Sequence, residues 1–202
     1  MASTSITTID VFQGTGKRER ILRAAVEVFA RTGYFNAKVT DVASGAGVAD
    51  GTIYLYFQGK EDLLLTIFEE LTASYLERLA DAIAGCRDAE AQVREAIRFH
   101  LETLGDDRSL AVVFQVELRQ SLKFMSLLSR KGLAEYLTTL RQIIERGQSQ
   151  GLFRADLQPQ LTANLIFGIL DEMVTSWILS EKEYDLTEHA QRICDFVLRG
   201  LR

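Results

Sequence analysis

Seven polar side chains interrupt the apolar stripes of this 202-residue sequence: His100, Gln115, Glu117, Arg119, Asn164, Asp171 and Glu172. Groups of this kind set among hydrocarbon must find hydrogen-bond partners, either in other side chains or in a ligand. Phe99, Phe114, Leu118, Phe124, Met125, Leu128, Tyr136, Phe167 and Met173 accompany them. The two sets describe either a long, mainly apolar tunnel with polar ends or a plain core whose polar groups satisfy one another. Catalysis is poorly supplied. His100 and His189 are far apart, no Cys or His recurs at metal-ligand spacing, and no phosphate loop or base-assisted nucleophile is signalled. The chain is expected to be no enzyme, with no catalytic residue, no metal and no cofactor.

A second chemistry lies in Val39 to Lys60, VTDVASGAGVADGTIYLYFQGK, which is rich in small, hydroxyl and aromatic residues and poor in aliphatic ones. A helix from about Thr40 to Ala46 turns Val42 and Ala43 inward, and Gly47 supplies the left-handed position that ends it. Val48 fills the angle, and a second helix runs from near Ala49 to Phe57. This punctuation is that of a helix-turn-helix, whose second helix enters the major groove of DNA. Gly51 and Thr52 let the backbone come close there, and Tyr54 and Tyr56 lie on different sides of the turn, so both cannot be core.

Charge supports that division of labour. The net charge is −5, yet residues 1–60 hold seven Lys or Arg against five Asp or Glu, so the acidic surplus lies wholly beyond them. Screening over roughly 8 Å at physiological salt lets a local basic patch meet phosphates independently of that surplus. Lys17, Arg18 and Arg20 are either backbone contacts or a solvated face. The N-terminal MASTSITTID lacks the basic start and apolar block of a secretory signal, and no uncharged apolar run of about 18 residues suggests a membrane span. A cytoplasmic protein is expected, with Cys86 and Cys194 reduced.

The elements that must position these residues read as helical almost throughout: an all-α chain of about nine helices. Residues 1–16 form a mobile arm, 17–63 a three-helix DNA-binding domain, and 64–202 a body. Ile21, Leu22, Ala25, Val26 and Phe29 share one stripe of a helix closed by Gly33. A long stripe follows from Leu64 to Ile83, then one from Val93 to Leu104, a short helix over 111–121, and a longer one from Phe124 to Gln150. Pro159 opens the most apolar helix, and Leu186 to Leu201 forms the last. Leu161, Leu165, Ile169, Trp177, Ile178, Ile193, Phe196 and Val197 exceed what one core needs, so a partner copy is expected to cover them.

The helix from Lys17 to Gly33, A-G-V at 46–48, G-T-I-Y at 51–54, Y-F at 56–57 and K-E-D-L at 60–63 together resemble the DNA-binding domain of TetR-type transcriptional regulators. The resemblance implies that Thr40, Ala49, Asp50, Gly51, Thr52, Tyr54, Leu55 and Lys60 approach DNA, with Tyr54 and Lys60 on phosphates. Base reading would fall to Thr52, Leu55 and Asp50. Two positions depart from the family: Lys38 stands where a capping Thr is common, and Asp50 where a basic residue is common. Asp50 suits either the helix dipole or a cytosine amino group.

GVADGTIYLYF at 47–57, VELRQS at 116–121 and FGILDEMVTSWILSEKEYDL at 167–186 are similar to the TetR-type repressors of fatty acid degradation. That resemblance implies a homodimer on a palindromic operator, released by long-chain acyl-CoA. It places the acyl chain among the apolar residues named above, His100 and Asp171 included, and the CoA phosphates against Arg119, Lys123 and Arg130. A TetR-type repressor of another hydrophobic ligand or drug, or a helical acyl-CoA-binding enzyme or adaptor, remain the alternatives.

Overall fold

A computed structural model describes residues 11–12, 14–116, 132–182 and 184–202. Among them run nine α-helices and no strand: α1 Lys17–Thr32, α2 Val39–Ala46, α3 Asp50–Ile53, α4 Lys60–Ala84, α5 Ala89–Gly105, α6 Arg108–Gln115, α7 Ala134–Ser149, α8 Pro159–Leu179 and α9 Ala190–Leu201. Sequence logic accounts for most of their ends. Asp88 and Asp107 cap α5 and α6, accepting from the Ala91 N–H at 2.8 Å and the Leu110 N–H at 2.9 Å. Because Asp107 is a cap, α6 starts three residues before the expected 111. Pro159 sits in the first turn of α8, where its missing N–H costs nothing. The expected last helix begins instead as a 3-10 turn, Leu186–His189, before α9.

Two apolar cores result. The head core joins Ile21, Leu22, Val26 and Phe29 of α1 with Val42 and Ala43 of α2, Ile53, and Leu63, Leu64, Ile67 and Leu71 of α4; α6 adds Leu110 and Val113. The body core collects Leu79 and Ile83 of α4 with Phe99 and Leu101 of α5, Leu140 and Ile144 of α7, Leu170 and Val174 of α8 and Val197 of α9. Helix α4 thus belongs to both. Tight closure shows at Gly147, where a Cβ would stand 1.9 Å from the Phe153 ring.

Two sequence expectations need correction. The arm is not loose over its whole length: Phe12 is buried in the head core, and the Arg23 guanidinium donates to the carbonyls of Phe12 and Gly14. The expectation of no membrane span is not overturned by helix α8, which is long and apolar enough to cross one by length and composition alone. Here it buries Ala163, Ile166, Leu170 and Val174 against its own chain. Finally, of the eight residues assigned to a partner copy, Trp177, Ile193 and Val197 already lie in this chain's core. Leu161, Leu165 and Phe196 are left exposed, with Ile169 and Ile178 half-covered.

Candidate DNA-reading head and ligand site

In the head, α2 packs across α1 and Gly47 takes the left-handed conformation (φ 63°) that reverses the chain toward α3. Lys38 at the start of α2 offers no capping side chain, as expected; Asp41, three residues on, reaches back instead, its carboxylate accepting from the Lys38 N–H at 3.2 Å. Helix α3 is shorter than the expected helix to Phe57. Only Asp50–Ile53 is regular, and the chain then continues in turns, with the Phe57 N–H bonded to the Ile53 carbonyl at 2.9 Å. Ile53 and Phe57 anchor it in the core, which forces Tyr54, Leu55 and Tyr56 outward.

Most of the proposed DNA-facing residues are open to solvent. Thr40, Ala49, Asp50, Gly51, Tyr54 and Leu55 are exposed and Thr52 is half-buried; Leu55, at 80% exposure, has no structural reason to be apolar. Lys60 stands apart. Its ammonium donates to the carbonyls of Phe35 and Ala37, each at 3.0 Å, and lies 4.6 Å from the centre of the Tyr34 ring. Two of its three donors therefore close the loop between α1 and α2. Among the basic residues of α1, Arg18 pairs with Glu70 of α4 and lies over Phe57, while Lys17 is exposed.

The body site is built on α4, α5 and α7. Packed side by side, these helices bring together Tyr75, His100 and Tyr136: the Tyr75 hydroxyl is 2.9 Å and the Tyr136 hydroxyl 3.4 Å from Nδ1 of His100. Phe99 stacks edge-on against Tyr75 at 5.0 Å, and Phe167 of α8 against Tyr136 at 5.8 Å. Burial pushes the His100 pKa down to about 4, against a smaller opposing pull from the charge of Asp171, so the ring is neutral at physiological pH. Burial likewise raises both tyrosines, Tyr75 with help from Tyr136. The cluster is a neutral hydrogen-bonding island in hydrocarbon.

Of the expected ligand residues, Phe99, His100, Tyr136, Phe167 and Met173 meet around the body core, with Asp171 near enough to act on His100. Phe114 belongs elsewhere: its ring lies 5.0 Å from Phe68 beside the head core. Asn164 and Glu172 point outward, bonded to Gln160 and Ser176. Glu117, Leu118, Arg119, Lys123, Phe124, Met125, Leu128 and Arg130 lie outside the described residues. Tyr75 is the partner that sequence reasoning missed. Its signal was a hydroxyl on the inner stripe of α4, hidden because Tyr there also reads as core. Among the described residues, no group of three or more His, Cys, Asp or Glu could hold a metal.

A helix-turn-helix head on an all-α body defines a DNA-binding regulator. The comparisons agree: residues 21–67 match the family of bacterial regulatory proteins described as tetR, and residues 68–200 match the YsiA-like C-terminal region. The chain belongs to the TetR family of transcriptional regulators, whose members are not enzymes. It is 37% identical over 185 residues to the fatty acid metabolism regulator protein of Bacillus subtilis, covering 92% of this chain and 95% of that one. The fatty acid degradation regulator FadR of Bacillus halodurans superposes with a TM-score of 0.87 at 38% identity, over 94% of this chain and 98% of that chain. FadR of Bacillus subtilis, solved in complex with stearoyl-CoA, gives 0.85 at 36% identity, over 92% and 100%.

Proposed function

We propose that this protein represses fatty acid degradation genes and leaves its operator when a long-chain acyl-CoA binds in the body. The observation that carries the reading is the similarity to fatty acid regulators through head and body alike, one of them holding stearoyl-CoA. The apolar body site around Tyr75, His100 and Tyr136 supports it chemically, since it suits a hydrocarbon chain bearing few polar groups.

The protein acts in the cytoplasm as a homodimer. Leu161, Leu165 and Phe196 form the seam between copies, with residues 17–63 as the reading head and 64–202 as the sensing body. Two heads then meet half-sites roughly 34–36 Å apart on a palindrome. Thr52 and Leu55 read bases, and Tyr54 holds a phosphate. The effector need only prefer the arrangement that misplaces the heads. A coupling of about 1–3 kcal/mol lowers operator affinity roughly 5- to 150-fold.

The test is titration of palmitoyl-CoA into the dimer already bound to an operator selected from random DNA. Release as the ligand saturates is expected. Retention of DNA at saturating, directly measured binding overturns the reading, and equal release by unrelated amphiphiles favours a regulator of another hydrophobic ligand.

A further inference from the structure

The buried face of α5 carries more hydrogen-bonding capacity than the described residues use. His100 is 5% exposed and Thr103, one turn on, is 1% exposed. Among the described residues, neither His100 Nε2 nor Thr103 Oγ1 has a hydrogen-bond partner, and the same is true of Thr72 Oγ1 on α4. Helices α4 and α5 are neighbours and Tyr75 faces His100; Thr72 lies one turn before Tyr75 on α4, as Thr103 lies one turn after His100 on α5. A row of orphaned polar atoms in a core is costly unless something outside the chain completes it.

Chemistry narrows what that something is. The neutral imidazole has one N–H and one lone pair, and which nitrogen holds the proton follows from its neighbours. Two phenol hydroxyls face Nδ1. A hydroxyl donated to Nδ1 leaves the proton on Nε2, a buried N–H that lacks an acceptor. Thr103, one helical turn on, adds a second buried hydroxyl without a partner among the described residues. The site therefore presents donors to an uncharged oxygen and offers no cation to a carboxylate, because a protonated His100 is disfavoured by burial.

We propose that His100 Nε2–H, set by the Tyr75 hydroxyl on Nδ1 and assisted by Thr103, is the specificity group that grips the thioester carbonyl oxygen of the effector. This rests on the acyl-CoA reading above and deepens it. The apolar walls select chain length, whereas His100 separates an acyl thioester from other hydrocarbon tails attached to the same carrier. Tyr75 is a positioning residue, acting through the tautomer of His100.

The experiment compares palmitoyl-CoA with S-hexadecyl-CoA, the thioether that keeps carrier and chain but lacks the carbonyl. Direct binding by the wild-type dimer is expected to favour the thioester about tenfold or more, the scale of one buried hydrogen bond left unmade. His100→Leu is expected to bring the ratio near one, Tyr75→Phe to lower it, and His100→Gln, which retains a donor, to keep part of it. The carbonyl stretch of palmitoyl-CoA labelled at C1 with ¹³C is expected to fall in frequency on binding to wild type, and to fall less in the Leu variant. Equal affinity for the two ligands in the wild type overturns the proposal while leaving the acyl-CoA reading standing, and would mean that water fills the site. A ¹⁵N spectrum of wild type with an unprotonated Nε2 also overturns it. Failure of both CoA derivatives to bind removes the functional reading and this one together.

Discussion

Ser109 Oγ donates to the Glu27 carboxylate at 3.0 Å, tying the first turn of α6 to the head helix α1. The preceding residue reaches the other way: Arg108 lies 4.9 Å from the Trp177 ring centre and donates to the Ile178 carbonyl at 2.7 Å, at the end of α8. Two adjacent residues thus join the head to the helix that carries Leu161 and Leu165. Ser109→Ala is expected to change thermal stability little, since an exposed hydrogen bond contributes about 0.5–1.5 kcal/mol at most. Arg108→Ala is expected to weaken effector-driven release of DNA severalfold without altering effector affinity. Trp177 is the only tryptophan of the chain, so its emission, followed during acyl-CoA titration, reports directly on this joint.

Lys60 and Tyr54 are expected to separate. Lys60→Met removes two hydrogen bonds from an ammonium to backbone carbonyls, each worth roughly 1.5–3 kcal/mol when shielded and less at this half-exposed position. Its melting temperature should fall together with its affinity for every DNA sequence. Tyr54→Phe should lose affinity with an unchanged melting curve. If Lys60→Met melts like wild type yet fails on DNA, the ammonium is a phosphate anchor after all.

Leu55→Ala and Thr52→Ala are expected to alter which operator is preferred, at about 1–3 kcal/mol for each discriminated base. Stability should not change for Leu55, which is 80% exposed. Selection from random DNA by each variant measures the effect, and an unaltered consensus for both would remove them as readers.

Leu165→Glu and Phe196→Asp place charges on the exposed faces of α8 and α9, whose inner faces are already packed. Sedimentation should show monomers with native helical content, and gel retardation of a palindromic operator should be lost. Persistent dimers in both variants would move the seam elsewhere.

Acidification should destabilise the fold through His100. Its pKa in the folded chain, about 4, lies below the ordinary imidazole value of about 6.5, so the unfolded chain takes up the proton first. The stabilisation is whole above pH 6.5 and declines as the pH falls toward 4, by up to about 3 kcal/mol. Tyr75, Tyr136 and the nearby Asp171 are the groups that face it. Urea melts of wild type and His100→Gln between pH 7 and 4 should converge as the pH drops.

How much of this was legible depended on how local each cause was. The Gly47 turn and the Pro159 start could be read from residue type and spacing, because backbone geometry decides them, whereas the outward Leu55 was reached only through the family resemblance. The early start of α6 turned on Asp107 acting as a cap, a local cue outweighed by the apolar run after it. The Tyr75–His100 pair joins residues 25 positions apart on antiparallel helices. Periodicity assigns each to an inner face, but only the register between the helices brings the hydroxyl to the ring. The loop-closing bonds of Lys60 were hidden for the same reason: its carbonyl partners lie more than 20 residues upstream. Likewise, the division of apolar residues between core and seam needed three-dimensional neighbours, as Trp177 shows, its indole N–H donating to the Tyr184 carbonyl at 2.9 Å.

Helix α4 runs unbroken for 25 residues through both cores, and the head core also takes Leu110 and Val113 from α6. The unit that can be exchanged between relatives is therefore larger than the unit that touches DNA. A chimera cut after Leu63 would give the transplanted head a foreign Leu64, Ile67 and Leu71 and a foreign α6, so new operator specificity would come with a mismatched interior. Grafts that carry the head-facing residues of α4 and α6 along with the head keep that interior whole, whereas substitution at the exposed Leu55 leaves it untouched.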